Sequence, residues 1–298
     1  MDKKIRLREL INAPESFMVP GAYDAMSALL IEELGFQAIY ATGAGISNAQ
    51  LGWADVGLTS MKEAVDIVAR ITDVTSIPVI ADIDTGFGNA INVIRTVREF
   101  ERAGIAGLQI EDQVSPKKCG HFNNKSVISK EEMVNKIHAI VDARQDENLV
   151  IIARTDALAV NGVEDAIDRA KAYKAAGADV LFVEAPTSLE QMKAITDSLE
   201  GIPQLLNLVE GAKTPIISLK EAEKLGYQIV LCANTALRAS IQGVKQALSI
   251  LKTDESQENL NDAICSWEDR QKLFKLNQIN EWEEKYLSIE PKEEVKNV

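Results

Sequence analysis

Ala103-Gly104-Ile105-Ala106-Gly107-Leu108-Gln109-Ile110 closes a helix-like segment on a glycine and runs directly into an apolar stretch. The pattern returns as Leu34-Gly35-Phe36-Gln37-Ala38-Ile39-Tyr40, as Ala176-Gly177-Ala178-Asp179-Val180-Leu181-Phe182-Val183, and as Leu225-Gly226-Tyr227-Gln228-Ile229-Val230-Leu231. A glycine suits the left-handed position after a helix, and the apolar run that follows suits a strand buried on both faces. Further runs of strand length at 16–20, 77–82, 149–154 and 202–208 bring the number of strands to eight. Segments with helical spacing lie between them, at 24–34, 62–71, 90–103, 130–143, 164–176 and 189–199. Strands alternating with helices predict βαβ units and a parallel sheet. Eight units, with no dinucleotide glycine fingerprint opening the first helix, predict an α/β fold of the (β/α)8 TIM-barrel type over residues 1–251.

Composition agrees with a large core and excludes several partners. The chain has 298 residues, 46% of them hydrophobic, which is compatible with one large domain. A formal charge of −13 argues against nucleic acid, whose phosphates are bound by lysine and arginine. Residues 1–10 mix charged and apolar side chains without an uninterrupted apolar core, so a cytoplasmic protein with no signal peptide and no membrane partner is expected. Cys119, Cys232 and Cys265 are too few and too scattered for a disulfide framework or a zinc ribbon.

In a barrel, the strand ends converge on the face where active sites are built. Read in order, they carry Tyr40 and Thr42, Asp82 and Asp84, Glu111 and Asp112, Arg154 and Asp156, Glu184, Asn207 and Glu210, then Asn234 with Arg238. Carboxylates on several strands repel one another unless a cation lies among them. The i, i+2 spacing of Asp82 and Asp84 projects both to one side of an extended chain. Hard oxygen donors without histidine suit Mg2+ or Mn2+, with Asp82 and Asp84 as the expected metal residues and Glu111 and Glu184 contributing directly or through water. Arg154 suits a carboxylate clamp. The backbone of Thr42-Gly43-Ala44-Gly45 offers N–H groups to a carboxylate.

Lys117-Lys118-Cys119-Gly120-His121 places a cysteine and a histidine in a cationic, glycine-containing loop. Nearby cations lower a thiol pKa, so Cys119 is a candidate proton donor. His121 is placed to bind a carboxylate or tune that thiol, whereas His138 falls within a helical segment and reads as structural. The connection 113–129 is long enough to read as a lid over the site.

These motifs together resemble the isocitrate lyase and phosphoenolpyruvate mutase superfamily, most closely its small carbon–carbon lyases of the 2-methylisocitrate and 2,3-dimethylmalate type. The resemblance rests on Pro20-Gly21-Ala22-Tyr23-Asp24, Asp82-Ile83-Asp84-Thr85-Gly86-Phe87-Gly88, Gln109-Ile110-Glu111-Asp112-Gln113, residues 117–121, Ala153-Arg154-Thr155-Asp156-Ala157 and residues 207–215. It implies magnesium-dependent cleavage of a 2-hydroxy di- or tricarboxylate to a 2-oxo acid and a second carboxylate, with Cys119 as general acid. It implies catalytic roles for Cys119, His121 and Arg154, with Tyr40 as candidate base. The implied substrate-binding set is Thr42, Gly43, Ala44, Lys117, Gly120, His121, Arg154, Glu184, Asn207 and Arg238, and Asp55 becomes an outer partner of the metal. Residues 252–287 carry Leu260, Ile264, Trp267, Leu273, Leu276, Ile279 and Trp282 at roughly helical spacing. The resemblance implies that this extension is exchanged with a neighbouring subunit in a homodimer or homotetramer; residues 288–298 read as a loose tail. Phosphonate-bond mutase or hydrolase activity, oxaloacetate decarboxylation and non-catalytic binding are the alternatives.

Overall fold

A computed structural model describes residues 2–120, 122 and 124–287; His121 and the expected tail 288–298 lie outside the described residues. The chain runs α1 (Lys3–Asn12), β1 (Phe17–Ala22), α2 (Ala25–Glu33), β2 (Ile39–Ala41), α3 (Gly43–Ile46), a short π-helix (Ser47–Leu51), α4 (Met61–Val74) and β3 (Val79–Asp82). It continues through α5 (Ala90–Arg102), β4 (Gly107–Glu111), α6 (Lys130–Ala143), β5 (Val150–Thr155), α7 (Leu158–Asn161), α8 (Val163–Ala175) and β6 (Val180–Val183). The last elements are α9 (Leu189–Ser198), β7 (Leu205–Asn207), α10 (Leu219–Leu225), β8 (Ile229–Cys232), α11 (Thr235–Asp254), α12 (Trp267–Leu273) and α13 (Leu276–Leu287). They form two compact units, one ending at Ala239 and one starting at Ser240. This division and the sequence boundary at 251/252 both cut α11.

All eight strands form one parallel sheet in the order β6-β5-β4-β3-β2-β1-β8-β7. The ends meet through a parallel bridge between Leu181 and Gln204, where the Leu181 N–H donates to the Pro203 carbonyl at 3.0 Å. The eight-stranded barrel expected from the repeat is therefore present.

Strand side chains divide by period two. Tyr40, Ile80, Val150, Ile152, Phe182, Leu205 and Leu231 pack together inside the barrel. Their neighbours Ile39, Ala41, Val79, Ala81, Ile151, Ala153 and Leu181 pack outward against the helices. Helix starts are set by side-chain caps: Asp24, Ser60, Asn89, Ser129, Ser188 and Ser218 each accept a backbone N–H from the first turn.

Two local features depart from the sequence reading. The charged segment 1–10 contains α1, capped by Asp2, whose Leu7, Leu10 and Ile11 join the barrel interior. Asp84 does not continue an extended strand: β3 ends at Asp82, and Asp84 takes a left-handed φ of 48°.

Candidate active site

The strand pattern that fills the barrel also builds its functional end. One pleat beyond the interior residues Tyr40, Ile80, Ile152, Phe182, Leu205 and Leu231 come Thr42, Asp82, Arg154, Glu184, Asn207 and Ala233. The same step from buried Gln109 leads to Glu111. Each polar group thus inherits the inward direction of an apolar residue two positions earlier. Parallel pairing sets Asp82 beside Gln109, Glu111 beside Arg154, and Asn207 beside Leu231.

Asp82 and Asp84 both reach the loop after β2, despite the turn between them. The Asp84 N–H donates to Asp82 Oδ1 at 3.0 Å. A Cβ at Gly43 would lie 2.9 Å from Asp82 Oδ2 and 3.2 Å from Asp84 Oδ1, so only glycine leaves this room. The backbone cradle expected at Thr42–Gly45 is partly satisfied internally: Gly43 N–H donates to Asp82 Oδ2 at 3.3 Å, and Gly45 N–H to Thr42 Oγ1 at 3.3 Å. Thr42 and Ala44 still line the cavity.

Lys117 brings the connection 113–129 onto this acidic floor. Its ammonium lies 2.6 Å from Asp55 Oδ1 and 2.7 Å from Asp84 Oδ1. Burial alone would lower the lysine pKa, but Asp84, Glu111 and Asp55 outweigh it and hold the group charged. Burial pushes the Asp84 carboxyl up to about 6 against the opposing pull of Lys117. Burial likewise drives Glu111 well above its usual range, with Arg154 opposing.

Arg154 is fixed on three sides. Its Nε and Nη2 donate to Asp156 at 2.9 and 3.1 Å, its Nε lies 3.3 Å from Glu111 Oε2, and its guanidinium stands 5.2 Å from the centre of the Phe182 ring. Desolvation opposes its charge, but Asp156, Glu111 and Glu184 more than restore it. Five N–H donors sit on a guanidinium, so Asp156 leaves donors available to a carboxylate.

The described residues of the connection 113–129 lie over this group. Its stem is a short antiparallel clasp, Gln113 bridged to Val127 and the Val114 N–H donating to the Ser126 carbonyl at 2.9 Å. The Gln113 amide holds the Lys118 peptide from both sides, at 2.9 and 2.8 Å. The Cys119 N–H donates to the Asp55 carbonyl at 3.2 Å, and the Phe122 N–H to the Cys119 carbonyl at 2.8 Å. A Cβ on Gly120 would fall 2.4 Å from both Arg154 Nη2 and Glu184 Oε1. The glycine after the cysteine is therefore what lets this loop rest on the clamp. Beneath it is a cavity of about 40 Å³ lined by Tyr40, Lys117, Cys119, Gly120, Arg154, Glu184 and Asn207 among others. Pockets that take small molecules run to roughly 300–1,000 Å³, so the loop leaves little room in this inner cavity.

Two expected roles differ from the observed geometry. The Tyr40 hydroxyl donates to Gln109 Oε1, and burial together with the nearby Asp82 charge raises its pKa well above 10.0. Its neutral form is favoured, which opposes its use as a base. Arg238 lies outside the inner cavity, half exposed, with Nη1 donating to the Glu210 carbonyl at 2.7 Å and to Glu210 Oε2 at 3.2 Å. It borders a wider adjoining cleft of about 540 Å³ that shares Cys119 and Asn234 with the inner cavity and is also lined by Phe122, Val209 and Ala212. Gln113, Lys125 and Asp112 carry contacts to which the sequence reading gave no role.

The donor set fits a magnesium-like cation as a partial coordination shell rather than an all-protein cage. Among the described residues no three His, Cys, Asp or Glu side chains form a metal-holding cluster. Asp55, Asp82, Asp84, Glu111, Asp156 and Glu184 nevertheless surround Lys117, Lys125 and Arg154, an excess of carboxylates over cations. Glu111 Oε1 is buried with no hydrogen-bond partner among the described residues. Mg2+ takes one or two carboxylates and fills its other positions with water and substrate oxygens, which suits this arrangement.

Known proteins share both the sequence and the architecture. A phosphoenolpyruvate phosphomutase family model matches residues 7–252. The 2,3-dimethylmalate lyase of Eubacterium barkeri is 43% identical over 288 residues, covering 97% of this chain and 99% of that protein. The 2-methylisocitrate lyase of Shewanella oneidensis is 42% identical over 281 residues, covering 94% and 95%. Among solved structures, a phosphonopyruvate hydrolase in complex with oxalate and Mg2+ superposes with a TM-score of 0.88 at 30% identity, covering 97% of this chain and 100% of that one. No helix among the described residues is long and apolar enough to cross a membrane. By the length of these matches and the barrel they share, the chain belongs to the phosphoenolpyruvate mutase and isocitrate lyase superfamily.

Proposed function

We propose that this protein is a divalent-cation-dependent carbon–carbon lyase acting on a 2-hydroxy carboxylate, with Cys119 as general acid. The observation that carries the reading is the seating of the Lys117–Gly120 segment: it brings Cys119 into one small cavity with Arg154, Glu184 and the carboxylate floor. A cation bound at Asp84 and Asp82, with Asp55, Glu111 and Glu184 around it, would supply Lewis-acid polarisation of the substrate's hydroxyl and carboxylate oxygens. Arg154, held by Asp156, binds a carboxylate through its remaining donors. Transfer of the hydroxyl proton to a carboxylate of this floor lets the adjacent carbon–carbon bond break, leaving a 2-oxo acid and a carbanion stabilised by its own carboxylate. Cys119 gives its thiol proton to that carbanion, forming the C–H bond of the second product. The loop over the site keeps water from quenching the carbanion first.

The adjoining cleft favours a substrate of the alkyl-substituted malate kind over a tricarboxylate. Phe122, Val209 and Ala212 supply apolar surface next to Cys119, and Arg238 borders this cleft only as a half-exposed pair with Glu210. We also propose that the extension 252–287 is exchanged between copies in a homodimer or homotetramer. Ile241, Val244, Leu248 and Leu251 on α11 and Leu276, Ile279 and Trp282 on α13 are exposed in the single chain, a stripe that a second copy would cover.

The test is release of 2-oxo acid, with Mg2+, from 2,3-dimethylmalate, 2-methylisocitrate, isocitrate and oxaloacetate. Turnover is expected to be greatest with 2,3-dimethylmalate. Preference for 2-methylisocitrate would overturn the substrate reading, and turnover of oxaloacetate alone would overturn the reading as a lyase of 2-hydroxy acids.

A further inference from the structure

Lys125 belongs to the loop over the site, yet its side chain is only 2% exposed. Its ammonium lies 2.5 Å from Asp156 Oδ1, on a carboxylate with no exposure, and also donates to the carbonyl of Gly120, the residue after Cys119. Asp156 is the same group that fixes Nε and Nη2 of Arg154. Its backbone is held in turn, the Asp156 N–H donating to Asp112 Oδ1 at 2.9 Å. The far end of the loop returns to this anchor, because Arg169 Nη1 donates to the Ile128 carbonyl at 2.8 Å and lies 3.3 Å from Asp112 Oδ2.

An ion pair on an exposed loop contributes little, whereas a buried pair that loses one partner leaves an uncompensated charge in a dry site. The Cys119 backbone is already tied on one side, through its N–H to the Asp55 carbonyl. We infer that Lys125 is the positioning residue of the loop: by joining the Gly120 carbonyl to Asp156 it ties down the other side and sets Cys119 over the cavity. The thiol's placement and the arginine clamp then share one carboxylate, and disturbing Asp156 releases both. The catalytic meaning of this latch rests on the proposed role of Cys119, but the latch itself is measurable without turnover.

The experiment is alkylation of the full-length protein by iodoacetamide in the presence of Mg2+, with modification at Cys119, Cys232 and Cys265 followed separately by peptide mass spectrometry. Lys125→Met removes the charge at similar length and is expected to speed reaction at Cys119 roughly tenfold or more, leaving the other two cysteines within about twofold of wild type. Lys125→Arg, which keeps charge and donors, should restore most of the protection. An unchanged Cys119 rate in Lys125→Met overturns the inference, and so does equal acceleration at all three cysteines, which marks general loosening. Should Lys125→Met fail to fold, Lys125→Gln is read by the same criteria. Selective acceleration at Cys119 in a protein that turns over none of the tested hydroxy acids would leave the latch standing and remove the lyase reading.

Discussion

Asp156 sits where the arginine clamp meets the loop, and that company sets its charge. Burial alone would raise its pKa, but Arg154 and Lys125 outweigh burial and hold it below the ordinary 3.8. The sign of the linkage follows: this carboxylate contributes stability that is fully present above its unfolded value and is lost as pH falls through the depressed folded one. Asp156→Asn is therefore expected to lower the denaturant midpoint at neutral pH, in line with the roughly 3–5 kcal/mol lost when a buried pair is broken, and to flatten the acid limb below about pH 4. A variant with the wild-type acid limb would contradict this. At this scale the sequence was most legible where a polar residue follows an interior apolar one by two positions, as Arg154 follows Ile152 and Glu184 follows Phe182. It was least legible for Lys125. A lysine in a polar loop ordinarily reads as solvated, and only the folded loop brings it 2.5 Å from Asp156.

The loop at 113–129 converts these residues into a site. Its length alone marked it as a lid, but its seat depends on contacts that spacing does not show: the loop's own Gln113 side chain under Lys118, distant Asp55 under Cys119, and bare Gly120 against Arg154 and Glu184. Gly120→Ala puts a methyl group 2.4 Å from two buried charged side chains, so it should keep this loop from seating while leaving the barrel intact. Limited proteolysis should then cut within 113–129 faster than in wild type at an unchanged thermal midpoint. Equal protease resistance would show that the close approach is not needed for closure. The repeat made the β4 region readable because glycine-then-apolar is a local signal. Helix α1 was not, since its short apolar set makes sense only once Leu7, Leu10 and Ile11 meet the barrel interior. The left-handed turn at Asp84 was hidden for a related reason: spacing of i, i+2 implies a shared face only while the chain stays extended.

The whole molecule comprises a barrel, whose core accounts for its strands, and a second unit in which Leu260 is buried but the apolar stripe on α11 and α13 remains exposed in one chain. Ile279→Glu combined with Trp282→Glu should shift the mass seen by light scattering from an assembly to a single chain, with the barrel still folded by circular dichroism; an unchanged assembly would place the interface elsewhere. Barrel architecture was legible in the sequence because eight repeated units constrain one another, whereas substrate identity was not, because it depends on how Arg238, Glu210 and the loop come together in space. The central claim is chemical, and one substitution addresses it most directly. Cys119→Ser preserves size and hydrogen bonding but makes a far weaker acid, so release of 2-oxo acid from the substrate chosen by the panel should fall by on the order of 10²–10⁴ while substrate binding is retained. Turnover by Cys119→Ser close to wild type would contradict the account.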